Sequence, residues 1–187
     1  MTEIEKASIA GFLDADGCVN AQIVQRAEYR LKFQIRASIT FFQSTKRHWF
    51  LLQLHEKLKR GCLRKRNDGM SELSIVGSAS VSTLLTDLIP YLKLKKKQAE
   101  LVLQIVQKLS RKQDKHDFLL LCKLADQVGL LKDSKSRHRR TITSALVRET
   151  LLFPVETSDS FSKLFEKQKL FLLVQKEQRY LFWLERV

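Results

Sequence analysis

The sequence predicts an α+β domain in the order αββαββα, followed by further helices. Three observations carry that expectation. Residues 31 to 42 alternate between two sets of side chains, one of them wholly apolar, the period of a sheet with one face in a core and the other in water. Apolar residues elsewhere return at helical spacing, as in Ala99, Val102, Val106 and Leu109. Asn67-Asp68-Gly69 separates two short strand-like runs, a composition that favours a tight hairpin turn.

Residues 3 to 15 read as a helix, with Thr2 as N-cap and Glu3 and Glu5 in its first turn. Strands at 19 to 28 and 31 to 42 follow, joined at Tyr29-Arg30. In the second, Leu31, Phe33, Ile35, Ala37, Ile39 and Phe41 share one face; Lys32, Gln34, Arg36, Ser38, Thr40 and Phe42 share the other. The matching face of the first holds Asn20, Gln22, Arg26 and Glu28. A helix at 46 to 59 carries Phe50, Leu51, Leu54 and Leu58 on one stripe. Residues 61 to 66 and 72 to 76 form a second hairpin, its first strand holding Arg64 and Arg66 on one face. Helices at 78 to 88, 95 to 109 and 115 to 128 (Phe118, Leu121, Cys122, Ala125) complete the series. Residues 132 to 140 read as a basic loop, 141 to 152 as a helix and 154 to 160 as a linker; 161 to 187 fit helix or hairpin, with helix favoured. The expected division is a domain over 1 to 152 and an extension over 153 to 187.

Charge limits the partners. The chain has 187 residues, 34 basic against 20 acidic, a net charge of +14 and a pI near 9.9, which favours a polyanion. A membrane surface is the rival. No run approaches the eighteen or so apolar residues of a spanning helix, and Met1-Thr2-Glu3-Ile4-Glu5 is too acidic for a signal or transit peptide. Cys18, Cys62 and Cys122 are an odd number without a CxxC, which reads as reduced thiols rather than a zinc site. His48, His55, His116 and His138 show no metal-ligand spacing.

The stretch Ile9-Ala10-Gly11-Phe12-Leu13-Asp14-Ala15-Asp16-Gly17 concentrates the chemistry. A glycine within an apolar helix is costly and marks close approach of another backbone. Carboxylates beside a core are expensive unless they meet a metal or an opposite charge, and at a helix C-terminus they oppose the dipole. An EF-hand is excluded, because Asp14-Ala15-Asp16-Gly17-Cys18 lacks the third ligand, the sixth-position glycine and the closing glutamate. The plainer alternatives are an acidic helix end before a glycine cap, and a Gly11 that packs on its own sheet.

This stretch resembles the motif of the LAGLIDADG homing endonucleases. It matches at six of nine positions (Ala10, Gly11, Asp14, Ala15, Asp16 and Gly17), with apolar residues at the other three. The segments Phe41-Phe42-Gln43-Ser44-Thr45-Lys46-Arg47, Trp49-Phe50 and Lys93-Leu94-Lys95-Lys96-Lys97-Gln98-Ala99 look like the single-motif branch encoded in chloroplast introns. The resemblance spans residues 4 to 150 and leaves the C-terminal extension unmatched.

The resemblance implies the homing endonuclease fold, an αββαββα core with a DNA-binding antiparallel β-saddle and additional C-terminal helices. It implies Asp16 as ligand of Mg2+ (or Mn2+), with the Ala15 carbonyl beside it, and Asp14 in a structural part at the helix end. Gln43, Arg47 and Lys95 would position water and offset charge on the phosphate, giving the catalytic set Asp16, Gln43, Arg47 and Lys95. One motif supplies one acid, so the chain would be a homodimer joined through Ala10, Gly11, Leu13 and Asp14.

The polar sheet face would contact double-stranded DNA through Asn20, Gln22, Arg26, Gln34, Arg36, Thr40, Arg64, Arg66 and Glu72. Arginine can read guanine, and asparagine or glutamine adenine; Glu72 would accept from cytosine or brace an arginine. An ordinary wet sheet face is the alternative, though it would carry more acid. Lys112, Lys115 and the 132 to 140 run would hold the DNA backbone, or be a solvated charge run. The expected activity is site-specific, double-strand cleavage of a long pseudo-palindromic site, without small-molecule cofactor or membrane, by a protein encoded in an organelle, the chloroplast. The alternatives are an RNA maturase on the same scaffold and a non-catalytic DNA-binding regulator.

Overall fold

A computed structural model describes residues 1–110, 112–131 and 142–152. Met1–Arg148 form one compact unit; of the second, Glu149–Val187, the residues up to Leu152 are described. The expected basic loop at 132 to 140, the linker and the amphipathic stretch lie outside the described residues.

Helix α1 (Glu3–Asp16) begins with a reciprocal cap. Thr2 Oγ1 accepts from the Glu5 N–H at 3.2 Å, and the Glu5 carboxylate accepts from the Thr2 N–H at 2.9 Å. Two orphan donors are satisfied, which stabilises the helix by about 1 kcal/mol. Strand β1 (Gly17–Gln25) follows with no loop between. Gly17 makes this possible: a Cβ there would stand 2.7 Å from the Leu13 carbonyl oxygen and 2.9 Å from Leu13 Cα. Those backbone atoms cannot step aside, so the motif's last glycine is a steric requirement.

Strand β2 (Phe33–Ser44) pairs antiparallel with β1 from Gly17 opposite Phe41 to Gln25 opposite Phe33. The expected strand ends at Glu28 and Leu31 are corrected, because residues 26–32 are a turn. Its ends meet through the Arg26 N–H on the Lys32 carbonyl at 3.0 Å, and Lys32 is left-handed at φ +58°, which breaks the extended run. A 3₁₀ turn, Thr45–Arg47, then precedes α2 (His48–Leu58), where one continuous helix was expected. Leu51, Leu54 and Leu58 are buried, whereas Phe50 is exposed at the core's edge, its ring edge-on to Phe12 at 5.0 Å.

Strands β3 (Cys62–Lys65) and β4 (Met70–Val76) form the second hairpin. Helices α3 (Ser78–Leu88), α4 (Lys96–Lys108), α5 (Lys115–Leu130) and α6 (Ser144–Leu152) follow. The sheet is antiparallel in the order β1-β2-β4-β3. The helices pack on one sheet face: α1 and α3 meet β2, α4 and α5 meet β1, and α2 meets β4. Val19, Ala21, Ile39, Phe41, Leu73 and Ile75 are fully buried beneath them. Gln22, Gln34 and Arg36 are exposed on the other face. Cys122 is buried, and burial pushes its thiol up to about 12; all three cysteines are free. No helix among the described residues is long and apolar enough to cross a membrane.

Candidate nucleic-acid interface and metal-binding acid

Register arranges the open face in rows. Gln22 lies opposite Arg36, Asn20 opposite Ser38, and Ser38 opposite Val76. Cys18, Thr40, Ser74 and Cys62 make one row across all four strands, with Thr40 Oγ1 and Ser74 Oγ 3.3 Å apart. Arg36 donates to the Tyr29 hydroxyl at 2.8 Å. Seven of the expected face residues, Asn20, Gln22, Gln34, Arg36, Thr40, Arg64 and Glu72, sit in this phase. Arg26 does not lie in β1: it is in the turn, 3.4 Å from the Glu28 carboxylate. Cys18, Val24, Cys62, Ser74 and Val76 share the face too. Cys62, at the start of the third strand, was open to a DNA-facing reading from its position; the small or apolar character of the other four hid them from a reading that looked for polar groups.

Arg64 and Arg66 are steered by one acid. Glu72 is 7% exposed, accepts from Arg64 Nε at 2.6 Å, and has its second oxygen 3.4 Å from Arg66 Nη1. Arg66 also reaches Asp68 at 2.6 Å. The guanidiniums stay solvent-accessible while the carboxylate is enclosed, so of the two parts expected for Glu72, cytosine acceptor or arginine brace, it takes the brace, holding two arginines in place.

A different group of residues gathers at the C-terminal end of α1. Asp14 accepts from the backbone N–H groups of Lys93 at 2.6 Å, Leu94 at 3.2 Å and Lys95 at 2.8 Å. The Lys95 ammonium donates to the Asp14 carbonyl. Asp14 therefore fixes the 93–95 turn and Lys95 against the helix end, where a cation suits the dipole. Asp16, two residues on, is exposed, and among the described residues its carboxylate makes no hydrogen bond or ion pair. β2 runs past the Gly17–Phe41 pair to Gln43, which faces the helix side of the sheet, as Phe41 does. Gln43 Oε1 accepts from the Ser44 N–H at 2.9 Å, and Arg47 is exposed in the adjoining 3₁₀ turn.

The donor set at Asp16 fits a hard, oxygen-seeking cation. An unpaired carboxylate stands beside the carbonyl-rich end of a helix, with Ala15 exposed. Among the described residues no three His, Cys, Asp or Glu side chains cluster. One acid per chain leaves positions for water and phosphate oxygens, the coordination magnesium prefers.

The exposed side of α1 carries Ile4, Ala7, Ser8, Gly11 and Ala15. Among the described residues a Cβ on Gly11 would meet nothing within 4 Å, so packing among them does not require that glycine. This removes the reading in which Gly11 packs on its own sheet. Ala10 and Leu13 were expected at a dimer interface, but both are fully buried in this chain's own core. The Asp14 carboxylate is likewise committed to its own chain.

A sheet face that exposes Arg36, Arg64 and Arg66, with the exposed Asp16 carboxylate at one end of a core helix, suits a polyanion and a divalent cation. Residues 9–99 match the family model described as LAGLIDADG endonuclease. The chain is 52% identical over 149 residues to DNA endonuclease I-CvuI of Chlorella vulgaris, covering 80% of this chain and 91% of that protein. It is 38% identical over 144 residues to DNA endonuclease I-CreI of Chlamydomonas reinhardtii, covering 76% and 88%. A crystal structure of I-CvuI in complex with its target in the presence of calcium aligns with a TM-score of 0.75 at 51% identity, over 80% of this chain and 94% of that one. The archaeal I-Vdi141I complexed with DNA shares the fold at a TM-score of 0.69 and 15% identity, over 80% of this chain and 95% of that one. The chain belongs to the LAGLIDADG endonuclease family.

Proposed function

We propose that this chain is a homodimeric, divalent-metal-dependent endonuclease that cuts both strands of a long, pseudo-palindromic DNA site. The observation that carries the reading is Asp16, an exposed carboxylate without a partner among the described residues, at the point where the core helix passes directly into the open sheet. I-CvuI, half identical to this chain, is crystallised on DNA with calcium and with magnesium.

The open face lies in the major groove, wide enough for a β-ribbon. Arg64 and Arg66, aimed by Glu72, together with Arg36, Gln22, Gln34, Asn20 and Thr40, read base edges; Arg26 at the hairpin turn reaches outward along each arm. Asp16, with the Ala15 carbonyl, holds Mg2+ (or Mn2+). Such an ion activates water, steadies the leaving oxygen and offsets charge at phosphorus. Gln43 orients the attacking water. Lys95, held at the helix end by Asp14, and Arg47 offset charge on the phosphate.

A second copy supplies the second acid. The α1 face containing Gly11 is the place for it, since two helices approach closely only where side chains are small, and a two-fold pairing matches a pseudo-palindrome. The two relatives named above come from green algae, in keeping with a chloroplast protein encoded within an intron, whose cut in an intronless allele promotes copying of that intron.

The test is magnesium-dependent cleavage of a library of organellar ribosomal genes lacking introns, with Asp16→Asn in parallel. A discrete double-strand cut that disappears in the variant is the expected result. Absence of any cut, with specific binding retained to DNA or to intron RNA, would move the chain to a regulator or a maturase.

A further inference from the structure

The turn that carries Arg47 is weakly built by itself. Thr45–Arg47 is a three-residue 3₁₀ turn whose N-cap, Ser44, makes no capping hydrogen bond through its side chain. Short 3₁₀ pieces have poor hydrogen-bond geometry, so an exposed turn of this kind needs support from elsewhere.

That support comes from β4. Ser71 stands opposite Gln43 in the register and is fully buried. Its Oγ donates to Thr45 Oγ1 at 3.4 Å and lies 3.0 Å from His48 Nδ1. The Ser71 hydroxyl, which both donates and accepts, thus links the Thr45 hydroxyl to the His48 imidazole, the tautomer of His48 setting which of that pair donates. The Thr45 N–H donates to the Gly69 carbonyl at 2.8 Å, completing the attachment to the β3–β4 turn. Thr45 and His48 bracket Arg47, so the buried serine holds both ends of the segment. Ser71 also precedes Glu72, which faces the other side of the sheet and braces Arg64 and Arg66. Adjacent residues of one strand thus hold the base-reading arginines and the Arg47 turn.

We propose that His48, Ser71 and Thr45 form a positioning network that sets Gln43 and Arg47 for strand cleavage and ties their placement to the recognition strand. This rests on the endonuclease reading above. The three residues act through Gln43 and Arg47 rather than on the phosphate, so they are positioning residues.

The experiment uses the full chain and a DNA fragment carrying the site selected from the library described above. Single-turnover cleavage at saturating DNA, the dissociation constant and the melting temperature are compared for wild type, His48→Ala, His48→Asn and Ser71→Ala. The expected result is a cleavage rate constant lowered on the order of 10- to 100-fold in both alanine variants, the scale of a small misplacement. Affinity and melting temperature stay near wild type in His48→Ala, and His48→Asn, whose amide offers both a donor and an acceptor, recovers much of the rate. An unchanged rate in His48→Ala overturns the proposal while leaving the endonuclease reading intact. Rate, affinity and melting temperature falling together, with no recovery in His48→Asn, overturns it as well, by reducing the network to ordinary packing. A wild-type chain that cuts no DNA removes the proposal together with the reading it rests on.

Discussion

Asp14 and Lys95 are joined twice: the Lys95 N–H donates to the Asp14 carboxylate at 2.8 Å, and the Lys95 ammonium donates to the Asp14 carbonyl. Burial pushes the Asp14 carboxyl up, but the N–H groups of Lys93, Lys95 and Leu94, with the Lys95 charge, outweigh it and hold the group below its ordinary value. A depressed carboxylate stabilises the fold fully above its unfolded pKa of about 4 and loses that contribution as pH falls through the lower folded value. Asp14→Asn should lower stability by about 1–3 kcal/mol at neutral pH and flatten the acid limb of the melting curve. Equal acid limbs in the two proteins would show that this carboxylate contributes nothing to acid sensitivity.

Asp16→Asn should abolish cutting and keep DNA binding within about tenfold, or 1.4 kcal/mol, since the exposed side chain supports no packing. Cleavage and gel-shift assays on one DNA fragment separate the effects. Retained cutting, or lost binding, would remove Asp16 from the metal.

Gly11→Leu should leave the monomer folded, because among the described residues nothing lies within 4 Å of where a Cβ would stand, and leucine is the better helix former by about 1 kcal/mol. Dimerisation should be lost, together with double-strand cutting. Sedimentation velocity and circular dichroism test this; a dimer that survives the substitution would place the interface elsewhere.

Arg64→Ala should weaken discrimination at a few base pairs by about 1–3 kcal/mol and leave others unaltered. Glu72→Gln should broaden preference at those same pairs, since it weakens the aim of both arginines while leaving them charged. Binding selections with randomised sites give the comparison. If every sequence weakens alike in Arg64→Ala, and the slope of affinity against salt falls with it, Arg64 touches phosphate instead of a base.

Local pattern was enough to place most elements. Thr2 and Glu5 announced the start of α1, the alternation from Leu31 to Phe41 placed β2, and Asn67-Asp68-Gly69 placed the second hairpin, because caps, strand period and turn chemistry depend on residues within a few positions of one another. The motif's acid and glycines were legible for the same reason. The turn at 26–32 was not, since Lys32 carries no sequence mark of a left-handed backbone.

What the tertiary structure alone decided is which of those residues face each other. Ala10 and Leu13 went to the core and Gly11 to the surface because α1 lays one particular stripe on β2. Glu72 became a brace because β3 places Arg64 opposite it. Ser71 carried one faint sign, a serine in phase with buried Leu73 and Ile75, yet its partners Thr45 and His48 lie more than twenty positions away. Asp14 meets a turn some eighty residues on. Hydrogen bonds of that range are set by how helices and strands stack, which no local pattern encodes.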